Sequence, residues 1–344
     1  MNRASRSKRW DSLPKVDIHR HLDCSIRPQT LRELLLAAGE DVPQNDAAFR
    51  SRYLVTEPMA DLGAVLRKFL AAQKALSSEA VLKRITEECI RDAAAEGIRI
   101  LELRYAPTFI HDGHPELNFE RIHRGIVAGI NACSDLPIAV GLLVTVQRIK
   151  SVQEGQSVID FAIDNRDTIF GVDLADNEDG FEAAPFEPMF KRARAKGLHV
   201  TIHAGEAIIP TAADNVMEAI HRFGAERIGH GFQIGNPEIP RSANALRDVV
   251  QHGVVLEVCP TSNVLTNAFG SVREHCLPQL REAGVKTTVN TDDPGVFDLD
   301  LTHEYDALAD QLGYGATDFM AMNEIAARAS FIPLEKRRAV WPGL

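Results

Sequence analysis

VDIHRHLD, residues 16–23 of a 344-residue chain, ends an apolar run on two histidines set one residue apart. Val16-Asp17-Ile18 opens a strand, predicted over 16–19, and side chains on a strand alternate between faces with a period of two. His19 and His21 therefore point one way and Arg20 the other. Two imidazoles aimed into one space fill a core poorly, but they are ready ligands for a zinc-like ion. Such a site needs further donors at other strand ends, and a fold that gathers those ends.

Outward from this strand, short strand-like runs alternate with helical patterns along the chain. The other candidate strands are 99–104, 138–145, 170–174, 199–203, 227–230, 254–259 and 287–291. Several are nearly continuous apolar runs, the pattern of parallel strands buried on both faces. Between them, 79–95, 186–195 and 273–283 carry helical patterns that stop before Gly97, Gly197 and Gly284. Eight β-then-α units predict an α/β fold, the (β/α)8 or TIM barrel, as a single domain over 15–344. No G-x-G-x-x-G follows an early strand and no G-x-x-x-x-G-K-[ST] occurs, so dinucleotide and P-loop readings have no support. The first two strands are separated by about eighty residues. Within that interval, 58–76 predicts an amphipathic helix with Leu62, Val65, Leu66, Phe69 and Leu70 on one side. A helix inserted after the first strand lies on the catalytic face of a barrel and can act as a lid.

The composition, 45% apolar and 25% charged, is that of an ordinary globular protein. A net charge of -10 argues against nucleic-acid binding, and no apolar run approaches a membrane span. The opening MNRASRSKRW is basic with no hydrophobic segment behind it, so 1–14 reads as a flexible basic arm and not a secretory signal. Five scattered cysteines without a C-x-x-C pair predict neither a disulfide framework nor a cysteine zinc site. Cys89 and Cys259 are expected as buried small apolar residues, and a reducing cytoplasm fits best.

Barrel enzymes carry their catalytic groups at the C-terminal ends of strands. There stand His19 and His21 after the first strand, His203 and Glu206 after the fifth, His230 after the sixth, and Asp292 with Asp293 after the eighth. His19, His21, His203 and Asp292 supply three nitrogens and a carboxylate, a set for one divalent ion with room for a water. That water would become a hydroxide nucleophile near neutral pH. Glu206 is placed to hand a proton to a substrate nitrogen, and His230 to hold or deprotonate the water. Asp293 can bind substrate or relay a proton. His111, His114, His123, His221, His252, His275 and His303 fall on helices or loops and read as surface or helix-end residues.

HRHLD (19–23), HAGE (203–206), RIGHG (227–231), EVCPTSN (257–263) and NTDDP (290–294) together resemble the adenosine deaminase family of the amidohydrolase superfamily. The resemblance covers nearly the whole chain from about Pro14 onward. It implies a single zinc ion on His19, His21, His203 and Asp292, with Glu206 protonating purine N1, His230 positioning the attacking hydroxide and Asp293 contacting N7. It further implies a small purine nucleoside as substrate, adenosine or 2′-deoxyadenosine, deaminated to the inosine product. His21 and Asp23 would contact the substrate, with Asp23 meeting the ribose 5′-hydroxyl; adenine deaminases of the family usually carry glutamate there. Cys24 stands where the family typically has glycine. In FGVDLADNE (170–178) Asp176 replaces the usual glycine beside the purine N3. Arg20, where an apolar residue is common, is expected to form a structural salt bridge. The alternatives are adenine, aminodeoxyfutalosine or an N6-modified nucleoside as substrate, or a non-catalytic nucleoside-binding relative. An amide- or ester-opening hydrolase of the binuclear kind would want a lysine after the fourth strand, and GVDLADNE offers none.

Overall fold

The aliphatic runs form eight parallel strands among residues 7–344, which the computed structural model describes. They are β1 (Lys15–His21), β2 (Ile98–Tyr105), β3 (Ala139–Gln147), β4 (Ile169–Ala175), β5 (His199–Ala204), β6 (Arg227–His230), β7 (Val255–Val258) and β8 (Lys286–Val289). They pair in sequence order, with helices in the connections. Just beyond β8, Asp292 closes the ring against β1. Its N–H donates to the His19 carbonyl (2.9 Å), and its own carbonyl accepts from the His21 N–H (2.8 Å). The (β/α)8 barrel expected from the strand count is the fold, and a candidate ligand sits in the seam that closes it.

Local chemistry sets the connections. Ser78 accepts the Val81 N–H and starts the helix Glu79–Ala95. Gly97 then takes a left-handed φ of 86°, which lets the chain leave that helix and enter β2 within two residues. The strand alternation in β1 is interrupted by a register shift between Asp17 and Arg20. The shift brings these two residues into a buried ion pair (Nε to Oδ2, 2.9 Å), with Thr291 Oγ1 also accepting from Arg20. Arg20 therefore faces away from His19 and His21.

Three local expectations need correction. The segment 58–76 is two short helices, Leu62–Lys68 and Leu70–Ala75, hinged at Phe69. The first begins late because Asp61 caps it, accepting the Ala64 N–H (2.7 Å). The helix expected over 273–283 spans only Leu277–Glu282, since Pro278 is tolerated in the first turn of a helix but not in its interior. The arm does not extend to residue 14. Trp10 is buried, edge-on to Phe319 at 4.9 Å, and its Nε1–H donates to Asp306 (2.8 Å). The buried Lys15 ammonium ties the carbonyls of Trp10 and Glu96 together. Residues 1–6 of the expected arm lie outside the described residues. All five cysteines are buried and unpaired, and no described helix is long and apolar enough to cross a membrane.

Candidate active site

The barrel brings His19, His21, His203 and Asp292 together so that one donor atom from each lies within 4.8 Å of the others. His21 Nε2 is 3.3 Å from His203 Nε2, and Asp292 Oδ1 is 3.2 Å from His19 Nε2 and 3.5 Å from His21 Nε2. Burial pushes the His21 and His203 imidazoles down, so both are neutral donors. For His19 burial also pulls down, but the Asp292 and Glu257 carboxylates outweigh it and the net shift is upward. His19 Nε2 is buried without a hydrogen-bond partner, an orphaned atom that a cation would satisfy. His230, Cys259 and Asp292 form a second close group. Burial pushes the Cys259 thiol well up, which makes it a poor ligand beside three imidazoles.

Two of the imidazoles are aimed by carboxylates beneath them. His19 Nδ1 meets Glu257 (2.7 Å) and His203 Nδ1 meets Asp173 (3.0 Å), which leaves each Nε2 lone pair facing the centre. One fully buried guanidinium, Arg104, donates to both Asp173 (2.9 Å) and Glu257 (2.8 Å). Glu257 also meets Arg227 (2.6 Å), and against the upward push of burial the two arginines hold it well below the usual carboxylate range. Sequence reasoning missed Arg104, Asp173 and Glu257. Their signal was charge set in strand runs (RILELR, FGVDL, VVLEVC), which is costly to bury unless it is paired.

Glu206 follows β5 on a loop that another missed residue holds. Glu178, the last residue of ADNE, accepts the backbone N–H of Gly205 (3.2 Å), Glu206 (2.7 Å) and Ala207 (2.7 Å). Burial, then the nearby Asp292 and Glu178 charges, push the Glu206 carboxyl well above its ordinary range. The shift favours the protonated form, the state a general acid requires. Burial followed by Asp292 does the same to Asp293. His230 Nε2 is 3.6 Å from Glu206 and 3.8 Å from Asp292. His123 and His275, expected near the surface, are instead buried: His123 bonds Tyr105 (2.9 Å) and His275 bonds Asn263 (3.1 Å).

Backbone conformation carries a related signal. His230, Asp292 and Asp176 adopt φ of 62°, 61° and 82°, where a residue with a Cβ costs about 1–2 kcal/mol. Such strain persists where surrounding structure enforces it, commonly at functional sites. At Asp176 the chain keeps the backbone shape that a glycine would supply, while adding a carboxylate.

Above the imidazoles lies an inner chamber of about 50 Å³, roofed by Leu62, Val65, Leu66 and Phe69 of the expected lid. It joins an outer chamber of about 430 Å³ lined by Asp23, Cys24 and Gln147, with His21, Asp176 and Asp293 bordering both. Asp23 Oδ2 accepts the Ala106 N–H (3.1 Å), while its Oδ1 is buried without a partner, as is Oδ1 of Asp293. Burial raises the Asp23 carboxyl to about 7. Asp176 is held by Gln147 (2.9 Å), itself bonded to Thr108 (2.8 Å).

This site can hold a divalent cation beside a buried carboxyl biased toward its protonated form, the equipment for hydrolysis at an electron-poor carbon. Known proteins agree. Residues 14–343 match the family model described as adenosine deaminase. An adenosine deaminase of Erwinia tasmaniensis is 34% identical over 332 residues, covering 95% of this chain and 97% of that protein. Among solved structures, an adenine deaminase from Arthrobacter aurescens superposes with TM-score 0.85 at 24% identity, over 96% of this chain and 97% of that one, a likeness of fold. The N6-methyl-AMP deaminase from Arabidopsis thaliana gives TM-score 0.80 at 26% identity, over 96% and 95% of the two chains. With a family match over nearly its whole length and a relative this similar, the chain is an aminohydrolase belonging to the adenosine deaminase family.

Proposed function

We propose that the protein hydrolyses the 6-amino group of adenosine or 2′-deoxyadenosine, using one zinc ion held by His19, His21, His203 and Asp292. The observation that carries this reading is the meeting of those four donors with Glu206, a buried carboxyl whose protonated form is favoured. A divalent ion held by His19, His21, His203 and Asp292 would supply an acidified water as the nucleophile. Glu206 gives its proton to ring N1 as oxygen adds to C6. C6 passes through a tetrahedral state, the amino group leaves with a proton as ammonia, and the ring regains its conjugation as the 6-oxo product. His230, at the border of Glu206 and Asp292, orients the incoming oxygen. Asp293, whose protonated form is favoured by burial and then by the Asp292 charge, donates to N7. The lid leucines and Phe69 exclude bulk water from the ring.

The unpartnered oxygen of Asp23 supports a nucleoside as substrate, because a ribose hydroxyl would satisfy it. The free buried thiols fit a reducing compartment such as the cytoplasm, and a small molecule is the only partner that the reading requires. Kinetics on adenosine, adenine and AMP, followed by ammonia release, test the substrate. Adenosine is expected to be preferred, and equal or better turnover of adenine or AMP would sink the nucleoside reading. Asp23→Ala is expected to raise KM for adenosine about tenfold, the scale of one buried hydrogen bond, and to leave a free base nearly unaffected. An equal effect on adenosine and adenine would remove Asp23 from the sugar site.

A further inference from the structure

His230 has two ring nitrogens, and only one arrangement of its proton lets Nε2 donate into the site. A chain of hydrogen bonds running in from a backbone amide selects it. The Leu277 N–H donates to His275 Nδ1 (3.0 Å), and a backbone amide has no alternative role. His275 Nδ1 is thereby an acceptor, so its proton lies on Nε2, which donates to Asn263 Oδ1 (3.1 Å). That bond fixes which end of the Asn263 side chain is oxygen. Asn263 Nδ2 then donates to His230 Nδ1 (3.2 Å), and the His230 proton is left on Nε2, 3.6 Å from Glu206 and 3.8 Å from Asp292. Every side chain in the chain is buried. His275 is packed between Phe232 and Phe269, with ring centroids at 5.9 and 4.6 Å, and this dry setting lowers it to about 3, so it stays neutral. The anchor amide follows the 3-10 turn Val272–Glu274, where the helix that Pro278 shortens begins.

We propose that His275 and Asn263 are positioning residues that hold His230 as its Nε2–H tautomer, with the Leu277 amide as the fixed end. The assignment rests on the deaminase reading only for what that tautomer does, namely orient the incoming oxygen; the tautomer itself can be measured without turnover. The geometry also predicts an inversion. An aspartate at 263 has no donor, so it would accept from both histidines and draw the His230 proton onto Nδ1, turning a bare Nε2 toward the site.

Side-chain 15N spectra of histidine-labelled, zinc-loaded protein read the tautomer directly. Wild-type His230 is expected as Nε2–H, and Asn263→Asp as Nδ1–H. With adenosine, Asn263→Asp is expected to lower kcat about a hundredfold, the scale of one general acid–base group, while KM changes less than about threefold. His275→Leu is expected to give mixed tautomers and an intermediate kcat, and His275→Gln, which retains an N–H donor for Asn263, to restore both. An unchanged His230 spectrum in folded Asn263→Asp and His275→Leu would overturn the relay, as would failure of His275→Gln to rescue. If Asn263→Asp does not fold, the His275 pair decides by the same spectra. Should the spectra shift as expected while no variant and no wild-type protein deaminates adenosine, the relay stands and the proposed function falls.

Discussion

Glu206→Gln is expected to bind metal as the wild type does and to lose about 10²–10⁴ in kcat, the contribution of a positioned general acid. The substitution is isosteric, and Glu206 is outside the four-donor set, so the imidazoles stay in place. The loop keeps its shape because Glu178 holds the backbone of residues 205–207 rather than the Glu206 side chain. Under the proposed mechanism, what disappears is the proton that Glu206 would transfer to N1. The pH dependence has a definite sign. Burial and the neighbouring Asp292, Glu178 and Asp176 carboxylates raise Glu206, so its protonated form extends to higher pH than for an ordinary glutamate and is lost as pH rises through that raised value. Wild-type kcat/KM should therefore fall on the alkaline side, and in Glu206→Gln the residual rate should lack that limb. Near wild-type turnover in the variant would remove Glu206 from the chemistry.

Arg104→Met is expected to be the most damaging substitution away from the ligands. The arginine is fully buried and donates to Asp173 and Glu257, the carboxylates under His203 and His19. Removing one member of such a cluster leaves uncompensated charge in the interior, which costs about 3–5 kcal/mol. Total stability of a domain is only about 5–15 kcal/mol, so denaturant midpoints should move strongly. Glu257 would keep Arg227 and Thr201 as partners, whereas Asp173 would lose its guanidinium. The aim of His203 should therefore loosen more than that of His19. Zinc affinity is expected to drop about 10–100-fold, as for other groups that orient metal-bound imidazoles. Added zinc should recover part of the lost stability, because the folded chain gathers the four donors that the unfolded chain holds apart. A folded variant with unaltered zinc affinity would show that Arg104 serves packing alone.

Legibility divides along a physical line. The strands and the four donors were readable because they follow local periodicity: HRH obeys the two-residue alternation, and HAGE, RIGHG and NTDDP each end an apolar run. The barrel then converts strand ends into neighbours, so local patterns suffice for a site of distant residues. The hinge at Phe69 was not legible, since no glycine or proline marks it. Pro278, by contrast, did announce that the 273–283 pattern would start late. Arg104 and its carboxylates were visible as anomalies but not as partners, because 69 residues separate Arg104 from Asp173 and 153 separate it from Glu257. His275 was misread for a similar reason. A polar residue in a loop is assigned to the surface unless its long-range partner is known, and here that partner is Asn263, across the connection that follows β7.

The most direct test of zinc-dependent adenosine deamination at this site is a metal titration of the stripped protein, following ammonia released from adenosine. Protein freed of metal by chelation is expected to be inactive and folded, and activity should rise linearly with added zinc to a break at one ion per chain. His203→Ala run in parallel should not recover at that stoichiometry. Undiminished turnover by the metal-free protein, or a break at two ions per chain, would contradict the account.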